Sequence, residues 1–430
     1  MARFGVRTVV PVVLGAVLGA VPGAGQQVLD LPGQDKAIPA ALEEVFRVGS
    51  LDGADWETFG EISGVAFDGQ GRLYVFDRQS SRVVVTDAQG RLVREVGKPG
   101  EGPGELRTPV SFTVLRDGTV VIADLGHRAY QLFGPDGEFQ RMVSMGQDGS
   151  VIRAGEMWAD PRGEAVITGG GRTRVMMSSG GPGSTPEAPK NRPIERIALK
   201  GDQVDSHTIA GGWLPPQGER PQDLRAGGGA AFRVSMAGPR TFEPGLYMGP
   251  LPDGGVAFSD TTAYAVKVVG ANGTLERVLR RPFRPRPVTP AMEKAEKERQ
   301  LAELEAGGGP RMRIVTSGSG GQTGAVPQDA IREMLRSRID QMEFFPEIPV
   351  LMNLATGWGG KIWAVRRGDQ PHEAGAIDVL TPAGQYVGTF AAGAMTLPSA
   401  FGPEGMVAFV ERDEFDVPTV VVKRLPAILR

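Results

Sequence analysis

The sequence predicts an all-β chain: a six-bladed β-propeller of four-stranded antiparallel blades, its ring closed by an N-terminal strand, with a helical insertion between blades four and five. Three observations predict it. Glycine and proline number 62 and 34 of 430 residues, about 22% together and near twice ordinary usage, which favours many short strands over a helical bundle. A strand–turn–strand module recurs with its glycines and aspartate at fixed offsets. The last module runs out of chain before its fourth strand, and a matching strand lies near the amino terminus.

Composition also narrows the chemistry. With 47 basic and 50 acidic residues the formal charge is −3, so the chain carries no electrostatic footprint for nucleic acid. It has no cysteine, which excludes disulfides, thiol nucleophiles and thiolate-bound zinc. The three histidines, His127, His207 and His372, are too few for a histidine metal cage. A hydrophobic content of 40% suffices for a buried core.

From the amino terminus onward, residues 1–25 read as a signal peptide. Arg3 and Arg7 precede an apolar stretch from Thr8 to Val21, and small residues at Gly23, Ala24 and Gly25 lead into Gln26 and Gln27. The stretch is short of the roughly 20 residues that span a bilayer. No later segment is as apolar, so the mature chain is expected to lack a membrane span and to reside in the periplasm or outside the cell. Residues 26–40 read as a linker.

The repeat follows. Gly71-Arg-Leu-Tyr-Val-Phe-Asp77 matches Gly118-Thr-Val-Val-Ile-Ala-Asp124, and thirteen residues past each aspartate stands a turn glycine, Gly90 and Gly137. Gly254, Asp260 and Gly273 keep both offsets. Units beginning at Gly163, Gly360 and Gly405 keep the first step, which makes six. A blade cannot bury both faces alone, so six copies stacked around an axis supply the core. The blades fall at about 58–97, 107–146, 150–211, 241–281, 347–392 and 395–425, the last completed by 43–49. That crossing strand, Glu44 to Gly49, closes the ring and removes an open edge.

Asp77-Arg-Gln-Ser-Ser-Arg-Val-Val-Val-Thr-Asp-Ala-Gln-Gly90 resembles the NHL-repeat pattern of aspartate, polar pair, arginine, apolar strand and turn glycine. The loop Gly97-Lys-Pro-Gly-Glu-Gly-Pro-Gly-Glu-Leu106 is similar to the Gly-Pro-Gly-Glu linker of NHL-like six-bladed propellers exported by bacteria. Unit two departs, with Ala129 where the pattern has arginine and His127 where it has asparagine. The resemblance implies the fold and little about activity, since such propellers serve both as binding scaffolds and as enzymes.

Loop lengths are lopsided. Turns between strands one and two, and three and four, are uniformly short. The long segments, 97–108, 170–192, 211–240, 282–347 and 367–375, all belong to the opposite face, which points to a functional face. Within the insertion, 282–346, Thr289-Pro290 starts a helix over Ala291 to Glu305 that is solvated and supported by a Glu293/Lys297 pair. Gly307 to Gly324 reads as a flexible linker. Pro327 to Met342 then carries an apolar stripe of Ile331, Met334, Leu335, Ile339 and Met342 at helical spacing, suited to the propeller rim, a lid or a docking helix.

The six-residue step brings Asp77, Asp124, Gly169, Asp260, Arg366 and Glu411 to the long-loop ends of the second strands. Such an acid ring could hold Ca2+ or another divalent cation; each aspartate could equally cap its own turn. Asp124 and His127 form the one acid–histidine pair on that face, and Arg78, Arg82, Arg128, Arg366 and Arg367 could receive a carboxylate or polyanionic glycan. Tyr264 completes the ligand-binding candidates. No catalytic residue stands out. The expected function is therefore an exported scaffold that binds an envelope protein or a glycan through its long-loop face, with no cofactor. The alternative is a divalent-metal-dependent hydrolase or lactonase with its site at the central channel.

Overall fold

A computed structural model describes residues 26–145, 156–169, 190–216, 239–306, 315–317, 323–325, 328–413 and 415–430. The expected signal peptide, at 1–25, lies outside the described residues, as do parts of the long segments at 170–192 and 211–240. Among the described residues no helix is long and apolar enough to cross a membrane.

Six four-stranded antiparallel sheets form the ring. Blade one runs Ile62–Phe67, Leu73–Asp77, Arg82–Thr86 and Leu92–Val96. Blade two follows from Pro109–Val114 to Phe139–Ser144, blade three from Met157–Ala159 to Asp205–Gly212, and blade four from Tyr247–Pro250 to Leu275–Arg280. Blade five runs from Leu351–Thr356 to Tyr386–Phe390. Blade six has Ala400–Phe401, Met406–Arg412 and Pro418–Arg424, and its fourth strand is Glu43–Val48, paired antiparallel to Pro418–Arg424.

Second strands such as Val120–Asp124 are buried along their whole length, because alternate side chains enter the cores on either side. In blade one Leu73 and Val75 pack toward blade six, while Tyr74 and Phe76 pack toward blade two. Six apolar clusters result, one at each junction between neighbouring blades.

The second turn glycines serve two purposes. Gly90, Gly137, Gly273 and Gly384 have φ between +81° and +88°, which glycine adopts without a steric penalty. A Cβ on three of them would also collide with a neighbour: Phe46 at Gly90, Arg94 at Gly137 and Leu29 at Gly384.

Residues 26–40, expected as a linker, form a strap instead. Gln27–Asp30 adds a fifth, parallel strand to the outer edge of blade four. The chain then bridges the outer strand of blade five at Ala37 and Thr389, and continues into the closing strand of blade six. The strap thus covers two consecutive outer edges, which would otherwise present unpaired backbone.

The insertion contains α1 (Pro290–Glu305) and α2 (Gln328–Asp340). The Thr289 hydroxyl caps α1 by accepting from the Met292 amide at 3.3 Å. The expected Glu293/Lys297 pair does not form. Lys297 reaches across to the Asp340 carbonyl at the end of α2, at 2.9 Å, where a cation meets the negative end of the helix dipole. Nor is the glycine-rich stretch wholly linker, since Val315–Ser317 pairs with Thr323–Ala325. Of the apolar stripe, Ile339 is buried and Met334, Leu335 and Met342 are half-buried; the Ile331 side chain lies outside the described residues.

Candidate functional site

The six positions at the long-loop ends of the second strands do not converge. Each polar one is engaged within the chain. Asp77 is buried and accepts from the amides of Gly60 and Glu61 at 3.2 and 3.1 Å, just before the first strand of its own blade. Asp124 does the same with the amides of Arg107 and Thr108, at 2.8 and 2.9 Å. These contacts tie the incoming link to the turn between strands two and three, which makes the aspartate a staple in blades one and two. Asp260 accepts from the Trp213 amide at 2.6 Å and from Lys267 Nζ at 2.8 Å. Glu411, half-exposed, lies 3.6 Å from Lys423. Among the described residues no three acids or histidines come close enough together to hold a metal ion.

His127 is held at both ring nitrogens. Nδ1 lies 2.8 Å from the Asp124 carboxylate, and Nε2 lies 3.1 Å from the Glu101 carbonyl oxygen. The carboxylate and the carbonyl both accept, which favours a proton on each ring nitrogen, and Gln131 Nε2 lies 3.3 Å from Nδ1. Burial pulls the His127 pKa down, but the bonds to Asp124 and Glu101 outweigh burial and raise it. For Asp124, burial pushes the pKa up, and the Arg107 amide, His127 and the Thr108 amide more than reverse this. Gln131 Nε2 adds a bond to the Glu105 carbonyl at 2.7 Å. The pair thus anchors the loop around Glu101–Glu105.

The arginines are likewise committed. Arg78 pairs with Glu61, and Arg82 donates to Glu95 and to the Thr58 carbonyl, both at 2.9 Å. Arg128 has φ +52°, and its carbonyl accepts from the Met145 amide at 2.9 Å. Arg367 donates to the carbonyls of Pro349 and Pro371, and burial lowers its pKa.

Arg366 belongs to a cluster that sequence reasoning missed. Arg281, wholly buried, lies 2.9 Å from Asp378 as an ion pair without the angle of a hydrogen bond, and donates to Asp35 at 2.9 Å. Arg366 reaches Asp35 at 2.6 Å and lies 3.6 Å from Asp378. Phe283 stands against both guanidinium groups and Tyr386 against that of Arg281. Tyr264 lies beneath, its hydroxyl pKa pushed up by burial and then by Asp378. This cluster pins the strap where it passes from blade four to blade five.

The axis holds a cavity of about 600 Å³, within the size range of ligand sites. Its walls are first strands, and Ser63, Ser111, Thr113, Asn353, Thr356 and Ser399 supply hydroxyl and amide groups. Trp158 and Trp358 add indoles. In blades one, two and five the first strand slips register after its opening residue, at Ile62/Gly64, Pro109/Ser111 and Leu351/Asn353. Such bulges re-aim side chains and recur beside binding sites. Strands this short, with that slip, hide the alternation that would have marked the lining in sequence.

A family profile described as a 6-bladed beta-propeller, DUF5128, matches residues 27–140. The match covers the strap and the first two blades. No curated protein matches the sequence. Among solved structures, the propeller is similar to a Bacteroides fragilis protein described as exported, at 10% identity and a TM-score of 0.46, over 93% of this chain and 100% of that one. It is similar to a member of the DUF4221 family from Bacteroides vulgatus at 11% identity and a TM-score of 0.44, over 90% and 99% of the two chains. A gluconolactonase from Xanthomonas campestris follows at 13% and 0.40, over 92% and 99%. Likenesses this loose carry no argument about activity.

Proposed function

We propose that the chain is an exported binding module of NHL-like type, which receives an envelope protein or a glycan on its long-loop face. One observation carries the reading: the described part of the largest long segment is built onto that face and fixed there at several points. Arg286–Pro287 pairs with Glu347–Ile348 at its neck. Thr241 exchanges backbone bonds with Glu343 and Phe345, both at 2.8 Å. Arg286 donates to the Gly368 and Asp369 carbonyls at 2.9 and 2.6 Å, joining the insertion to a blade-five loop. Passive decoration needs no such anchorage, whereas a binding surface gains from held geometry. The export part of the reading rests on the pattern of Arg3, Arg7, the apolar stretch and Gly23–Gly25.

The test replaces residues 290–342 by a short glycine–serine link, which keeps the neck ladder. The shortened chain is expected to melt as a folded propeller and to lose capture of its envelope ligand. Unchanged capture would refute the role of the insertion.

A further inference from the structure

We infer that the central channel binds a short neutral oligosaccharide, with the Trp358 indole as its stacking platform and Arg116 closing the far end. Arg116 belongs to the first turn of blade two and Trp358 to the first turn of blade five, opposite members of the ring. The guanidinium carbon nevertheless lies 4.8 Å from the indole centroid, and both residues line the cavity. The pair therefore reaches across the axis at the short-turn end. The other end, at Glu156, Leu397 and Ser399, is the side from which a ligand enters.

The lining decides the class. Blades one and two line it with residues 63–67 and 110–114, about 13 Å of strand at the usual rise, which admits a short chain of rings end-on. Along that length the walls offer hydroxyl, amide and backbone groups, with one guanidinium at one end and one carboxylate, Glu156, at the other. A polyanion would find a single cation there, and that cation is already stacked on an indole; burying its remaining charges unpaired is costly. A chain of sugar rings suits the walls better. Its hydroxyls exchange bonds with Ser63, Thr113 and Asn353, and its apolar ring faces lie on aromatic surface. Among the described residues neither Arg116 nor Glu156 forms a side-chain ion pair, so neither is required as one to hold the blades together.

The inference stands apart from the loop-face reading. Saccharide binding with an inert loop face, or the reverse, would separate the two. The test is calorimetric and tryptophan-fluorescence titration of the purified chain with linear neutral tetra- to hexasaccharides of glucose, mannose and N-acetylglucosamine. Saturable binding is expected with at least one. Trp358→Ala should weaken it at least about tenfold, and Trp358→Phe should retain most of it. If Trp358→Ala does not fold, Asn353→Ala supplies the loss-of-binding test. Failure of every saccharide to bind would overturn the inference. So would binding indifferent to Trp358→Ala in a chain that melts normally. Tighter binding of a uronic-acid oligosaccharide than of any neutral one would overturn the neutral class.

Discussion

The Arg281 guanidinium lies 2.9 Å from the Asp378 carboxylate, and neither side chain reaches solvent. Removing one partner of such a pair strands the other charge. Asp378→Ala is therefore expected to cost about 3–5 kcal/mol, read by denaturant unfolding. Asp35 contacts the same guanidinium, but its side chain is 44% exposed, so water screens it and Asp35→Ala should cost under about 1 kcal/mol. Equal losses would contradict this ranking.

The strap offers a second test. Deleting residues 26–40 removes the parallel strand from blade four and the bridge to blade five, leaving two outer edges open to other chains. The shortened protein should melt at lower temperature and self-associate. An unchanged melting temperature and a monodisperse profile would mean that the edges need no cover.

Two glycines separate strain from collision. Gly163 has φ +115° and nothing within 4 Å of a built Cβ, so Gly163→Ala costs only the backbone penalty, about 1–2 kcal/mol. Gly384 has φ +88° and the Leu29 side chain 2.3 Å from such a Cβ. Gly384→Ala should cost a further about 1–3 kcal/mol, and that excess should vanish in Leu29→Ala.

The contact between His127 and Asp124 makes the propeller's stability depend on pH. The folded pKa of His127 is raised, so its contribution is fully present below the unfolded value of about 6.5 and is lost as pH climbs through the folded value. Asp124, whose pKa is lowered, works in the opposite sense and lends stability lost only in acid. The groups facing the ring are Asp124, the Glu101 carbonyl, Gln131 and Arg107, the last opposing the charge. Against His127→Gln, the parent chain should lose its advantage between neutral and alkaline pH, and the ring protons should titrate above about 6.5. A midpoint below that value would contradict the assignment.

Much of the fold was legible because glycine leaves a mark wherever φ must be positive. Gly71, Gly90, Gly118, Gly137, Gly254, Gly273, Gly360 and Gly384 all have φ > 0, and their spacing fixed the blades. Thr289 likewise marked its helix. The strap was not legible, since a four-residue parallel strand has no hairpin partner and no periodicity of its own. Asp35, Arg281, Arg366 and Asp378 stand too far apart in sequence for their convergence to be read. The candidate acids were found for a real positional reason, but the incoming amides of residues such as Gly60, Glu61, Arg107 and Thr108 claim them.

The side of the disc that meets a partner can be read directly by crosslinking. Photo-reactive residues placed singly at Glu101, Gln370 and Phe415, and at Gln70, Asp117 and Ala383, would sample the two sides in envelope extracts. Adducts from the first three positions and none from the second three are the expected result. Adducts confined to Gln70, Asp117 and Ala383 would contradict it and transfer the partner to the tight-turn side.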